Sequence, residues 1–141
     1  MSRMRLSVPE ARRRLAGARV ARLATAAAGG QPHVVAVTFA VDGDLIYTAV
    51  DHKPKTTTNL RRLRNITENP QVSLLADHYS DDWATLWWAR ADGRASILTS
   101  AADIEGPVAL LTARYPPYQA TPPEGPVIAI TATRWSGWSF T

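Results

Sequence analysis

The chain contains no cysteine, which excludes disulfide frameworks, thiol nucleophiles and thiolate metal ligands together. No apolar run approaches the roughly 20 residues that a membrane-spanning helix requires. Met1-Ser2-Arg3-Met4-Arg5 leads into further arginines rather than a signal-peptide core, so the expected location is the cytosol. Phosphate-binding glycine loops are missing as well, since neither Gly-x-Gly-x-x-Gly nor a Walker sequence occurs. No Gly-x-Ser-x-Gly elbow supports a serine hydrolase. His33, His52 and His78 form no His-x-x-x-His pair, and no metal site is expected. What remains is an ordinary globular composition: 141 residues, 45% hydrophobic and 20% charged, suited to one domain over residues 1–141.

Acidic residues are scarce in the first half. Residues 1–76 carry 12 basic and 5 acidic side chains, a balance of +7, whereas residues 77–141 balance at −3. A basic half attracts polyanions, and both nucleic acid and a small polyanionic cofactor satisfy that requirement.

Local patterns mark the elements. Ser7 with Glu10 three residues on, and Pro9 between, predicts a short helix over Ser7–Leu15. Strands are expected at Val20–Thr25, His33–Val41, Leu45–Val50, Val72–Ala76, Leu86–Leu98 and Val127–Arg134. Asp42-Gly43 signals a hairpin between the second and third. Asp92-Gly93 reads either as a hairpin turn or as a bulge inside one long strand, and the bulge is preferred. Ser100 and Asp103 resemble a capping box, and Pro107–Tyr115 reads as helix. Six strands joined mostly by short turns predict a mainly β fold, an antiparallel barrel with peripheral helices.

The most informative stretch is 47–76. The strand Leu45–Val50 runs into Asp51-His52-Lys53-Pro54-Lys55, and three threonines then open a helix expected over Thr57–Glu68. Leu60, Leu63 and Ile66 share one side, with Arg61, Arg62 and Arg64 between them. No acid precedes Glu68 in that helix, although acids normally complement the positive end of the macrodipole. Lys53, Lys55 and the hydroxyls of Thr56–Thr58 therefore form a candidate cradle for an external anion. Solvated surface lysines are the alternative reading.

Aromatic residues cluster elsewhere. Trp83, Trp87 and Trp88 offer a stacking surface for a flat ring; equally, Trp87 and Trp88 point to opposite faces of a strand. Trp135 and Trp138 bracket an expected turn after the last strand. Asp77, Asp81 and Asp82 read as an acidic surface loop.

The order of these parts resembles the pyridoxamine 5′-phosphate oxidase-like split β-barrel family, and most of all its probable coenzyme F420 (deazaflavin)-dependent oxidoreductases. The resemblance rests on Tyr47-Thr48-Ala49-Val50, Lys53-Pro54-Lys55-Thr56-Thr57, Asn65-Ile66, Asn69-Pro70-Gln71-Val72-Ser73-Leu74, Trp87-Trp88 through Ala95, Arg114-Tyr115-Pro116 and Arg134-Trp135-Ser136-Gly137-Trp138. It implies a six-stranded FMN-binding type of split barrel and a homodimer with a flavin-like cofactor between subunits. Lys53, Lys55, Thr56 and Thr57, with Arg61 and Asn65, would contact the phosphate or tail. Thr48 and Val50 would lie beside the ring, and Trp88 or Trp138 would cover it from the partner. Tyr79 and Trp83 are candidate substrate contacts, and no catalytic side chain is assigned. The implied reaction is hydride transfer between reduced F420 and a small unsaturated or quinone-like molecule. An FMN-dependent oxidoreductase and a non-catalytic flavin or deazaflavin carrier are the alternatives. True pyridoxamine phosphate oxidases carry further arginine-containing sequence beyond the position of Thr141, so vitamin B6 oxidation is not expected. A nucleic-acid-binding barrel is a third class, favoured by an isoelectric point near 10.0 and opposed by the acidic second half.

Overall fold

Ser7 opens the first helix as its residue type predicts, its hydroxyl accepting the Glu10 N–H at 3.2 Å. The computed structural model describes residues 4–50 and 60–141. Along the chain lie β1 (Met4–Arg5), α1 (Val8–Gly17), β2 (Ala21–Ala26), β3 (Pro32–Val37), β4 (Ala40–Asp42) and β5 (Leu45–Ala49). Then come α2 (Arg61–Glu68), β6 (Gln71–His78), β7 (Trp87–Leu98), α3 (Ala101–Arg114), α4 (Pro116–Ala120) and β8 (Val127–Ser139). One antiparallel sheet runs β3-β2-β6-β7-β8-β5-β4, with β1 added beside β8.

Among the described residues there are eight strands rather than the six expected. One addition is the two-residue β1. The other arises because the expected strand His33–Val41 breaks at Thr38-Phe39, where Phe39 turns fully inward. The backbone groups freed by the break find side-chain partners, as buried polar groups must. Tyr115 Oη accepts from Phe39 N at 3.2 Å and stands 3.0 Å from its carbonyl. Arg114 Nη1 donates to the same carbonyl at 3.1 Å, and its Nη2 donates to Ala18 O. Thr38 and Tyr118 share a hydroxyl contact of 2.9 Å. The Arg114-Tyr115 pair thus clamps α3 across the gap.

The long antiparallel pair β7–β8 forms the backbone of the sheet, with Trp87 opposite Ser139 at one end and Leu98 opposite Val127 at the other. Its register shifts at Asp92/Gly93, so the bulge is observed and both flanks belong to single strands. Gly93 is required there, because a Cβ would stand 2.2 Å from the Thr131 carbonyl oxygen. The unpaired extra residue is Thr133 on β8, since Asp92 faces Arg134 and Gly93 faces Ala132. Across it the buried set changes parity, from Ile128, Ile130 and Ala132 to Trp135, Gly137 and Ser139. Trp135 and Trp138 therefore lie within β8, not around a turn after it.

The hairpin between β4 and β5 forms as expected, but its two-residue loop is Gly43-Asp44, with φ 66° at Gly43. Glycine at the first loop position suits the twist of the strands. Asp44 then anchors neighbours, accepting from Arg12 at 2.7 Å and from the Trp135 indole at 3.0 Å. The main core joins Ala11 and Leu15 of α1 to inward residues of the sheet, where Ala21, Ala76, Ala89 and Ala91 leave room for the helix. A second, smaller core packs Leu111 and Tyr115 against Ala40, Ala49 and Val127. The α3 helix begins at Ala101, six residues before the expected start at Pro107, because Ser100 caps it through Asp103 N at 3.1 Å. Among the described residues no helix is long and apolar enough to cross a membrane.

Candidate cofactor site

Lys53, Lys55, Thr56 and Thr57, with the rest of the expected elbow, lie outside the described residues. Its two flanks are defined. On the upstream side, Thr48 is 2% exposed opposite Ile128, and Val50 joins the main core with its N–H on Pro126 O at 3.0 Å. Both residues expected beside a ring are packed into the interior.

On the downstream side, Leu60 has the extended geometry of an N-cap, so α2 starts at Arg61 rather than at Thr57. Leu60 packs on the core, and Leu63 and Ile66 are buried. No side chain caps this helix and its first turn holds no acid. Arg61 and Arg64 are exposed. The positive end of the helix is thus reinforced by cations. Asn65, expected to touch the cofactor, is only 1% exposed and donates from Nδ2 to Thr25 Oγ1 at 3.0 Å. It bridges α2 to β2 where the β2–β6 ladder, three residue pairs long, has ended at Ala24-Ser73.

The aromatic candidates gather at the opposite end of β7–β8. Trp88 and Trp138 are direct cross-strand partners on the outward face, flanked by Asp77 on β6 and Arg5 on β1. The Arg90 guanidinium lies 5.3 Å from the Trp88 ring, and Phe140 meets Trp138 edge-on at 6.3 Å. Trp87 points the other way, onto the core, with Arg14 over it at 5.6 Å. Tyr79 is 64% and Trp83 58% exposed on the loop beside this end. That loop is ordered by its own polar groups: Asp82 caps the turn Trp83–Thr85 through Ala84 N, and Ser80 bonds Thr85 at 2.9 Å. Among the described residues no group of three metal-ligating side chains exists.

The two ends are far apart in one chain. Nine residue steps along β7 lead from Trp88 to Ile97, which shares its row with Ile128 and Thr48, a run of about 30 Å of strand. Thr48 and Val50 therefore do not meet Trp88 and Trp138 within one copy. Two polar groupings had no sequence signal, because each depends on cross-strand register. Ser73 Oγ donates to Asp92 Oδ1 at 2.6 Å, with Arg90 Nε 3.2 Å from the same oxygen. Thr25, His33 and Asn65 form the other.

These elements define a class: an antiparallel split β-barrel, its curled sheet plugged by α1. A family model described as pyridoxamine 5′-phosphate oxidase matches residues 7–139, and the chain belongs to that family. A FAD-binding protein from Mesorhizobium loti is similar over 100% of both chains, with 22% identity and a TM-score of 0.77. The conserved hypothetical protein Rv2991 from Mycobacterium tuberculosis is 23% identical over 96% of this chain and 86% of its own, with a TM-score of 0.76. HutZ, the heme storage protein from Vibrio cholerae, is 18% identical over 92% of both chains, with a TM-score of 0.69. No curated protein matches the sequence. At these identities the likeness establishes the shared fold.

Proposed function

We propose that the protein is an oxidoreductase that holds a flavin-type cofactor between two copies of the chain, with coenzyme F420 preferred and FMN the alternative. The observation that carries this reading is the α2 end: a helix with no acid in its first turn and no side-chain cap, bearing three arginines and preceded in sequence by Lys53 and Lys55. That arrangement favours an external anion. Membership of the pyridoxamine 5′-phosphate oxidase family and the fold shared with a FAD-binding protein support a flavin-type anion. The long anionic tail of F420 suits a first half balanced at +7.

Lys53, Lys55, Thr56, Thr57 and Arg61 hold the anionic end in this reading. The separation of Thr48 from Trp88 and Trp138 by about 30 Å of strand favours a ring covered by tryptophans of the partner copy. When bound, the cofactor supplies hydride-transfer chemistry. The chain positions the ring and the acceptor and keeps water out. Tyr79 and Trp83, beside the tryptophan end, contact a small unsaturated or quinone-like substrate.

Fluorescence titration with F420, FMN and FAD tests the cofactor, and stopped-flow oxidation of the bound reduced cofactor by quinones tests turnover. Absence of binding to all three would sink the proposal. The fold shared with a heme storage protein favours a carrier as the second reading. Tight heme binding, or flavin binding without turnover on any acceptor, would select it.

A further inference from the structure

Ser73 on β6 and Asp92 and Arg90 on β7 form a polar trio on the outward, solvent-open face of the sheet, beside the tryptophan pair. Ser73 and Asp92 are direct ladder partners, and the serine hydroxyl donates to Asp92 Oδ1 at 2.6 Å. The same oxygen forms an ion pair with Arg90 Nε at 3.2 Å. Held at Nε, the guanidinium lies 5.3 Å from the Trp88 ring centroid, and neither of its Nη groups has a hydrogen-bond partner among the described residues. The cross-strand neighbours of Arg90 are Leu75 and Ser136, which bring no acid, and its side chain is 38% exposed. Asp92 stands two residues further from the indoles along β7, about 7 Å, so the ion pair turns its positive end to Trp88. Arg134 is the cross-strand partner of Asp92, which leaves these three charged groups positive in sum. An exposed ion pair adds little stability, so the needs of the fold do not account for the placing of Arg90. A tethered cation with free donors is what a site that stabilises negative charge requires.

We infer that Arg90 raises the reduction potential of the cofactor, by presenting its positive charge to the ring that Trp88 covers. The inference rests on the flavin-type reading above and deepens it. A neutral flavin or deazaflavin ring that takes up two electrons and one proton carries one negative charge, and a nearby guanidinium favours that form over the oxidised one. Arg90 belongs to the same copy and the same strand as Trp88, so it reaches the ring wherever the indole does.

The test measures the two-electron reduction potential of bound F420 or bound FMN, whichever the wild type holds, against a reference dye followed by absorbance. Arg90→Met, a surface change that keeps the length of the side chain and removes its charge, should shift the equilibrium about threefold to tenfold toward the oxidised form, a fall of about 15–30 mV. Arg90→Lys should keep most of the wild-type potential. An unchanged potential in Arg90→Met would overturn this inference while leaving the cofactor reading standing. An equal fall in Arg90→Lys would trace the effect to packing rather than charge and overturn it in the same way. Wild type binding neither cofactor would overturn both.

Discussion

The two ends of the β7–β8 pair are built from opposite materials. At the elbow end, Ala49, Val50, Val127 and Ile128 are all buried, and Leu111 of α3 and Tyr115 at its C-cap pack over them. At the far end, Trp88, Trp138 and Phe140 are only half-buried, and Tyr79 and Trp83 are exposed. The first end is finished by the chain's own side chains. The second displays aromatic surface with charges around it, which is how a surface awaiting a partner or a ring is made. A fixed distance lies between them, so any site that needs both requires two copies.

The comparison breaks most severely if the bar between the ends is broken. Gly93→Ala puts a methyl against the Thr131 carbonyl, and a destabilisation of about 3 kcal/mol is expected in urea unfolding; a loss below about 1 kcal/mol would mean the strands do not cross that closely. A sharper probe uses the ends separately. Lys55→Ala should lose about 1–3 kcal/mol of cofactor affinity, and Trp88→Ala should also bind weakly while melting near wild type. Refolding the two variants together should restore about one quarter of the sites, because half of a statistical mixture is mixed dimer with one intact site in two. No restoration would place both residues in one copy and contradict the composite site.

Tyr115→Phe strips the hydroxyl that serves Phe39 N and lies 2.9 Å from Arg19 O. It should cost about 1–3 kcal/mol of stability, loosening the elbow end while tryptophan fluorescence from the far end stays unchanged. The smallest effect concerns Glu10, whose hydrogen bonds with Arg13 and Arg14 hold its carboxyl down at about 2, from 4.5. A depressed acid stabilises the fold above its ordinary value and loses that contribution as pH falls through about 2. Glu10→Gln should therefore flatten the acid limb of the stability curve between those values, slightly, since the pair is exposed and salt-screened. An unchanged acid limb would show that the ion pairs contribute nothing.

Much of the fold was legible because its signals are local. Ser7, Ser100 and Gly43 announce caps and a turn through their own backbone chemistry, and each sits where that chemistry places it. The break at Thr38-Phe39 was not legible, since it depends on Tyr115, 76 residues away. Asn65 shows the same limit at the site. Its place on the cationic helix suggested a ligand contact, whereas its partner is a threonine 40 residues earlier. Sequence spacing locates a helix face, but only the register of distant strands says what that face meets. Arg90 was passed over for the same reason, its place beside Asp92 and Trp88 being a property of the assembled ladder.

Thr133 is the single residue by which β8 outruns β7. Because a strand alternates sides residue by residue, leaving that surplus out of the pairing determines which indole the molecule shows and which it hides. Deleting it would close the bulge and leave Trp135 inward and Trp138 outward, whereas pairing it into the ladder would exchange the inventories of everything downstream, hiding Trp138 and turning Trp135 outward. Relatives that lack this one residue would keep the same faces, and those that pair it into the ladder would share the scaffold and present different chemistry to whatever docks there.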